Sequence, residues 1–166
     1  MDRLFYALAA LAIAVSAIVI AATSPALPAT VASHFGVGGV ANGYLPRDEY
    51  ELSMLALAIG IPFSITLLMA TLPRALPGLV NVPNLRAWLA SPRRNEALAS
   101  LGAFGAVAAI LFTACIAAAH LVLLRANAVS PPHLDPVALG VVLGVFGLAF
   151  LAWAIALIRR FHADPR

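Results

Sequence analysis

The chain has 166 residues, 63% of them hydrophobic and 10% charged, with a net charge of +3 and a mean hydropathy of +0.98. Soluble domains carry about 25% charged residues, and ten basic plus seven acidic side chains cannot clothe a soluble surface around this much Ala, Leu, Val and Ile. A water-soluble enzyme and a disordered tail are excluded. So is a nucleic-acid binder: all ten basic residues are Arg and no more than two adjoin, so no stripe faces a phosphate backbone.

In chain order, four apolar stretches are long enough to cross about 30 Å of hydrocarbon. They cover 4–22, 52–72, 97–124 and 136–158, and none contains Asp, Glu, Lys or Arg. Lipid offers no partner for a backbone N–H or C=O, so each is predicted to be a helix. The fold class is therefore an all-α integral membrane protein, a four-helix bundle in a single membrane domain, 1–166. The first stretch follows Arg3 and ends in Ala21-Ala22, as a signal peptide does, but its 19 residues exceed the roughly 7–15 of an h-region, and it is read as a retained helix. The third, at 28 residues, reaches about 42 Å and must tilt or protrude. Ser91-Pro92 resembles an N-cap followed by proline at the first helical position, so two further turns are expected ahead of it. Gly140 and Gly144 in the fourth stretch form a GxxxG pair, with Gly147 beyond. Together with Gly102, Gly105 and the alanines of the third and first, they fit close packing within the bundle, with a homodimer as the rival use. Gly60 and Pro62 place an expected kink in the second.

Arginine placement gives a direction. Arg3, Arg74, Arg86, Arg93, Arg94, Arg159, Arg160 and Arg166 fall on one side and only Arg47 and Arg125 on the other. The side with eight is expected to be cytoplasmic, placing both termini inside a bacterial inner cell membrane. Residues 23–51 are then an outer loop and 73–96 an inner, Arg-rich loop. In the outer loop, Thr30 to Phe35 is a candidate short strand, Gly36, Gly38 and Gly39 allow positive φ, and Asn42-Gly43 is a turn pair. A small ordered cap is expected. Within it Val31 and Phe35 face the bundle, and the His34 imidazole turns toward the glycines to hold one backbone hydrogen bond.

The positions Leu27, Pro28, Val31, His34, Phe35, Gly36, Gly39, Asn42, Gly43 and Tyr44 resemble the motif of the domain of unknown function found in SdpI-type membrane proteins, Asn42 standing where Asp is more usual. Asn81, Pro83, Asn84, Trp88, Arg93 and Arg94 of the inner loop resemble a second stretch seen in part of that family. The resemblance implies an immunity- or sensor-type protein. It would engage a secreted peptide on the outer loop and a regulator on the inner one.

Trp88, flanked by Arg86 and Arg93-Arg94, reads from composition as an anchor at the headgroups, with the lipid bilayer as its partner. His34, His120 and His133 share the outer side and would suit Zn²⁺ or Cu²⁺ if the fold gathered them. Their spacing matches no compact ligand motif, and no metal or other cofactor is expected. The single Cys115 permits neither an internal disulfide nor a thiolate zinc site. With no GxSxG, HExxH or phosphate-binding glycine loop, an enzyme is not expected. A small transport or channel component, or a structural subunit of a larger membrane complex, are the competing functions, and a homo-oligomer is compatible with each.

Overall fold

The computed structural model describes residues 2–162; Arg166, one of the arginines used to orient the chain, lies outside them. The long helices are α1 (Asp2–Thr23), α2 (Arg47–Ala75), α4 (Arg94–Ala126) and α5 (Pro136–His162), and a short α3 (Leu85–Ala90) interrupts the connection between α2 and α4. All four long helices have the length and apolarity to cross a membrane. α2 runs unbroken through Pro62, which is buried.

α4 begins at Arg94 and not at Pro92. The Ser91 hydroxyl donates back to the Trp88 carbonyl at 2.8 Å, closing α3, and accepts from the Arg93 amide at 3.2 Å. Ser91 thus joins two helices where the sequence suggested the start of one. Even so, 33 residues at 1.5 Å each make α4 about 50 Å long, more than the hydrocarbon layer.

Between α1 and α2 the chain forms an antiparallel hairpin of β1 (Thr30–Phe35) and β2 (Ala41–Pro46), with Thr30 opposite Pro46 and Phe35 opposite Ala41. The turn lies at Gly36–Gly39. Gly38 and Gly39 take φ of +82° and +84° there, and the Gly36 amide donates to the Val40 carbonyl at 2.8 Å. Asn42-Gly43, expected as the turn, sits inside β2. Gly43 is needed there for close approach, because a Cβ would lie 2.9 Å from the Cβ of His34.

α4 is the central helix, with α2, α1 and α5 packed around it. Its glycines admit their neighbours. A Cβ on Gly102 would strike the Tyr6 hydroxyl of α1, and one on Gly105 would come within 2.5 Å of the Met69 Cβ of α2. Ala9 of α1 is buried against Ala106 and Ala109. Small residues thus bring α1 and α2 onto α4, as membrane helix packing requires. α5 is held differently. The Trp153 indole donates to the Phe104 carbonyl at 2.9 Å, and Phe112 meets Phe146 and Phe150 edge-on, with centroids 5.0 and 5.8 Å away. Gly140, Gly144 and Gly147 have no neighbour within 4 Å of a built Cβ. The expectation that they serve packing within the bundle is therefore wrong: these glycines face open space, and α5 meets α4 through its aromatic side chains instead.

Gly105→Leu is expected to lower bundle stability by about 1–3 kcal/mol through overpacking against Met69. Gly144→Leu should leave it unchanged or slightly raised, since leucine favours the helix. Unfolding in detergent measured by circular dichroism distinguishes the two.

Candidate functional site

The polar groups of the bundle concentrate at the hairpin end. His120, in the last turns of α4, is fully buried. Its Nε2 lies 2.7 Å from the Thr23 hydroxyl at the end of α1, and its Nδ1 3.0 Å from the Tyr50 hydroxyl at the start of α2. The Tyr50 ring also stacks on the imidazole, with centroids 5.9 Å apart. With the one proton of the Thr23 hydroxyl on the Val19 carbonyl, 2.7 Å away, that oxygen accepts from His120, the assignment that also gives the Tyr50 O–H an acceptor. This places the imidazole proton on Nε2 and leaves Nδ1 to accept from Tyr50 O–H. A directed chain results, Tyr50 to His120 to Thr23 to Val19, in which every member is satisfied with a neutral ring. It ties α1, α2 and α4 together at one point.

The hairpin rests on this knot. Leu27, Val31 and Tyr50 form a buried cluster, with Leu45, Met54, Leu123 and Leu124 packed against it. Asn127, just past the end of α4, holds the free edge of β1. Its Oδ1 accepts from the Ala32 amide at 2.8 Å, and its Nδ2 donates to the Ala32 carbonyl and to the Leu123 carbonyl, both at 3.0 Å. One side chain thus replaces a neighbouring strand. At the turn, the Leu134 amide donates to the Gly39 carbonyl at 2.9 Å, and Val40 pairs with His133. A Cβ on Gly39 would meet the Leu134 carbonyl, so both its φ and its contacts demand glycine. At the hairpin base, Arg47 Nη1 donates to the Leu27 carbonyl at 3.2 Å.

The motif residues of the outer loop divide by role. Leu27 and Val31 are buried, and Phe35 packs against the Val122, Ala126 and Leu134 cluster. Gly36 sits beside the Asn42 amide, and Gly43 beside His34. Pro28, His34, Asn42 and Tyr44 are exposed. The His34 imidazole lies over Gly43, as expected, its Cγ and Nδ1 3.2 Å from where a Cβ on that glycine would stand, but its hydrogen-bond partner is a side chain and not the backbone. The ring is exposed, with Nδ1 3.0 Å from the neighbouring Ser33 hydroxyl. Gly43 leaves room for both the Cβ and the ring of His34. The three histidines do not converge: no group of three or more His, Cys, Asp or Glu side chains able to hold a metal occurs among the described residues. Both nitrogens of His120 are already engaged.

The arginine-rich end is a separate construction. Trp88 is 1% exposed and stands between two guanidiniums, Arg93 at 4.8 Å and Arg160 at 4.4 Å from its ring, with Phe161 edge-on at 5.7 Å. Glu96 binds Arg93 at 2.8 Å and Arg160 at 2.6 Å. The indole is therefore a core residue of the protein and is not exposed to headgroups. Asn84, at φ 52°, donates to the His162 carbonyl at 2.8 Å and locks α3 to the end of α5. Arg94, Asn81 and Pro83 join neither contact: Arg94 and Asn81 are exposed and Pro83 is half-buried.

Thr23, Tyr50 and Asn127 escaped sequence reasoning, as did Glu96, Arg160 and Phe161. The one usable signal was a histidine inside an apolar span, where polarity is costly and a partner is required.

A family model described as Domain of unknown function (DUF1648) matches residues 11–60. The match takes in most of α1, the hairpin and the first half of α2, hence Thr23 and Tyr50, while His120 and Asn127 lie beyond it. No curated protein and no solved structure matches the chain. The four apolar helices and this match make the molecule a multi-pass membrane protein carrying a domain of unknown function.

Asn127→Ala should free the edge of β1. Hydrogen exchange at the Ala32 amide is expected to rise at least about tenfold, the equivalent of one hydrogen bond. Asn127→Asp, which keeps the acceptor and loses the donor, should fall between. His120→Ala should cost about 2–4 kcal/mol, because it leaves a cavity and an unpaired Tyr50 hydroxyl. Adding Tyr50→Phe to that variant should cost less than Tyr50→Phe alone, read by detergent unfolding as a double-mutant cycle.

Proposed function

We propose that the protein is a non-catalytic immunity- or sensor-type membrane protein whose hairpin cap meets a ligand, in the first instance a secreted peptide, outside the cell. The observation that carries this is a contrast between support and tip. The hairpin is fixed from below by Asn127, from the side by His133–Leu134 and at its base by Arg47. Yet its turn presents Val37 and Val40 at 105% and 62% exposure, and Tyr44, in mid-strand opposite Ala32, is 52% exposed. Ordering a loop costs conformational entropy, and a rigid mount holding apolar and aromatic side chains outward suits recognition, where pre-organisation lowers the cost of binding. The resemblance of the hairpin positions to SdpI-type proteins supports the same use. The arginine distribution supports an orientation with both termini in the cytoplasm of a bacterial cell and the hairpin outside. A regulator inside the cell would then face the arginine-rich end.

A second use, as a structural subunit of a larger membrane complex, is favoured by one observation. Gly140, Gly144 and Gly147 of α5 leave space that no residue of this chain fills. Native purification that yields the chain alone would remove that use.

Orientation is checked in a Cys115→Ser background. A membrane-impermeant thiol reagent should label Val37→Cys in intact cells and miss Ala87→Cys; the reverse pattern would put the hairpin inside and end the proposal. For function, deletion of the gene should raise sensitivity to a secreted peptide or change transcript levels. Wild type should restore the phenotype, and Val37→Asp should not, although it inserts normally. A deletion with neither effect would contradict the assignment.

A further inference from the structure

A different feature stands at the arginine-rich end. α2 and α5 both lean on α4 and scarcely touch each other, so a cleft opens between them. Leu68 and Leu72 of α2 and Trp153 and Leu157 of α5 line it, around about 260 Å³. The loop Leu79–Val82 borders it and is also one wall of a second hollow, about 480 Å³, lined by residues 77–82 with Asn84, Leu85 and Arg86. An apolar slot between two helices able to cross a membrane thus adjoins a polar recess, with Asn81 on the shared wall. That is the shape of an amphiphile, head in the recess and chain in the slot.

The charge of this end selects the head. Beyond the first turn of α1, it carries Arg74, Arg86, Arg93, Arg94, Arg159 and Arg160 against Glu96. Both ion pairs found among the described residues use Glu96, with Arg93 and Arg160. Arg86 takes part in neither, is exposed, and lines the recess.

We infer that the α2–α5 cleft and the recess adjoining it form a seat for an anionic membrane phospholipid. Its phosphate lies against Arg86 and Asn81, and one acyl chain lies between Leu68, Leu72 and Leu157. A basic residue at a membrane surface is worth about 1 kcal/mol toward an anionic headgroup, or about fivefold in affinity. The apolar slot contributes equally to any lipid with the same chains. Headgroup preference and total retention therefore report on different residues.

The test titrates the purified full-length protein in detergent with phosphatidylglycerol and phosphatidylcholine of identical chains, and counts retained lipid by native mass spectrometry. Phosphatidylglycerol should be preferred about fivefold, and Arg86→Gln should bring that preference close to one. Arg159→Gln should leave it intact. Leu157→Trp, which fills the slot, should reduce retention of both lipids while thermal unfolding shows the chain still folded. Millimolar inorganic phosphate should not displace the lipid. Three results would overturn the seat: a preference that survives Arg86→Gln, a preference lost equally in Arg159→Gln, or displacement by inorganic phosphate. The first two would mean only a diffuse positive potential, and the last a plain anion site with no role for the cleft.

Discussion

An imidazole placed deep in an apolar bundle has to be satisfied on both nitrogens, and that demand organises one end of this protein. His120 is fully buried, and leaving a buried polar group unpaired costs about 1–3 kcal/mol. Its two partners come from two other helices, Thr23 and Tyr50. Lipid supplies little force to bring apolar helices together. A hydrogen-bonded junction among three helices fixes their relative position where apolar packing alone gives little orientation. Tyr50 then buries its ring under Leu27 and Val31, and the hairpin inherits its seat from the same junction.

The opposite end solves the same problem with charge. Trp88 and Phe161 are enclosed by Arg93, Arg160 and Glu96. The cations cover the aromatic faces while their heads remain paired, a way of keeping guanidinium near the membrane boundary without leaving it unsolvated. The bundle is thus pinned at both ends by polar junctions. Its middle is held by close approach at Gly102 and Gly105 and by the aromatic seam to α5. α5 is joined to α4 by that seam and to α3 and α4 at its end by Asn84, Phe161 and Arg160, while it scarcely meets α2, and there the cleft opens.

Much of this was legible in the sequence, for physical reasons that also mark where legibility ended. The four helices follow from apolar length alone, because lipid permits no other regular solution for a single segment. The Thr30 to Phe35 strand followed from composition, and the glycines marked the turn, though Asn42-Gly43 was assigned to it as well. That pair forms a two-residue turn only when the flanking residues are in register for one. Here the bulge at His34 moves the turn to Gly36–Gly39 and makes Gly43 a crossing point. Long-range partners were not legible. Thr23 and Asn127 read as ordinary helix-end residues, since nothing local says that one meets a histidine 97 positions on or that the other holds a strand 95 positions back. Trp88 looked like an anchor because flanking arginines are the usual companions of an interfacial indole. The same arginines served instead to bury it, which only the positions of Glu96 and Phe161 could reveal.

A neutral His120, protonated on Nε2, knots three helices under the hairpin. Nitrogen NMR of histidine-labelled protein in a bilayer at neutral pH, assigned by His120→Gln, tests it directly. The account predicts a protonated Nε2 and an unprotonated Nδ1, and an amide at Val31 that exchanges faster once Thr23→Val breaks the chain. A ring protonated on Nδ1, or one that averages between the two tautomers, would mean that Thr23 and Tyr50 do not hold it, and the junction would have to be abandoned.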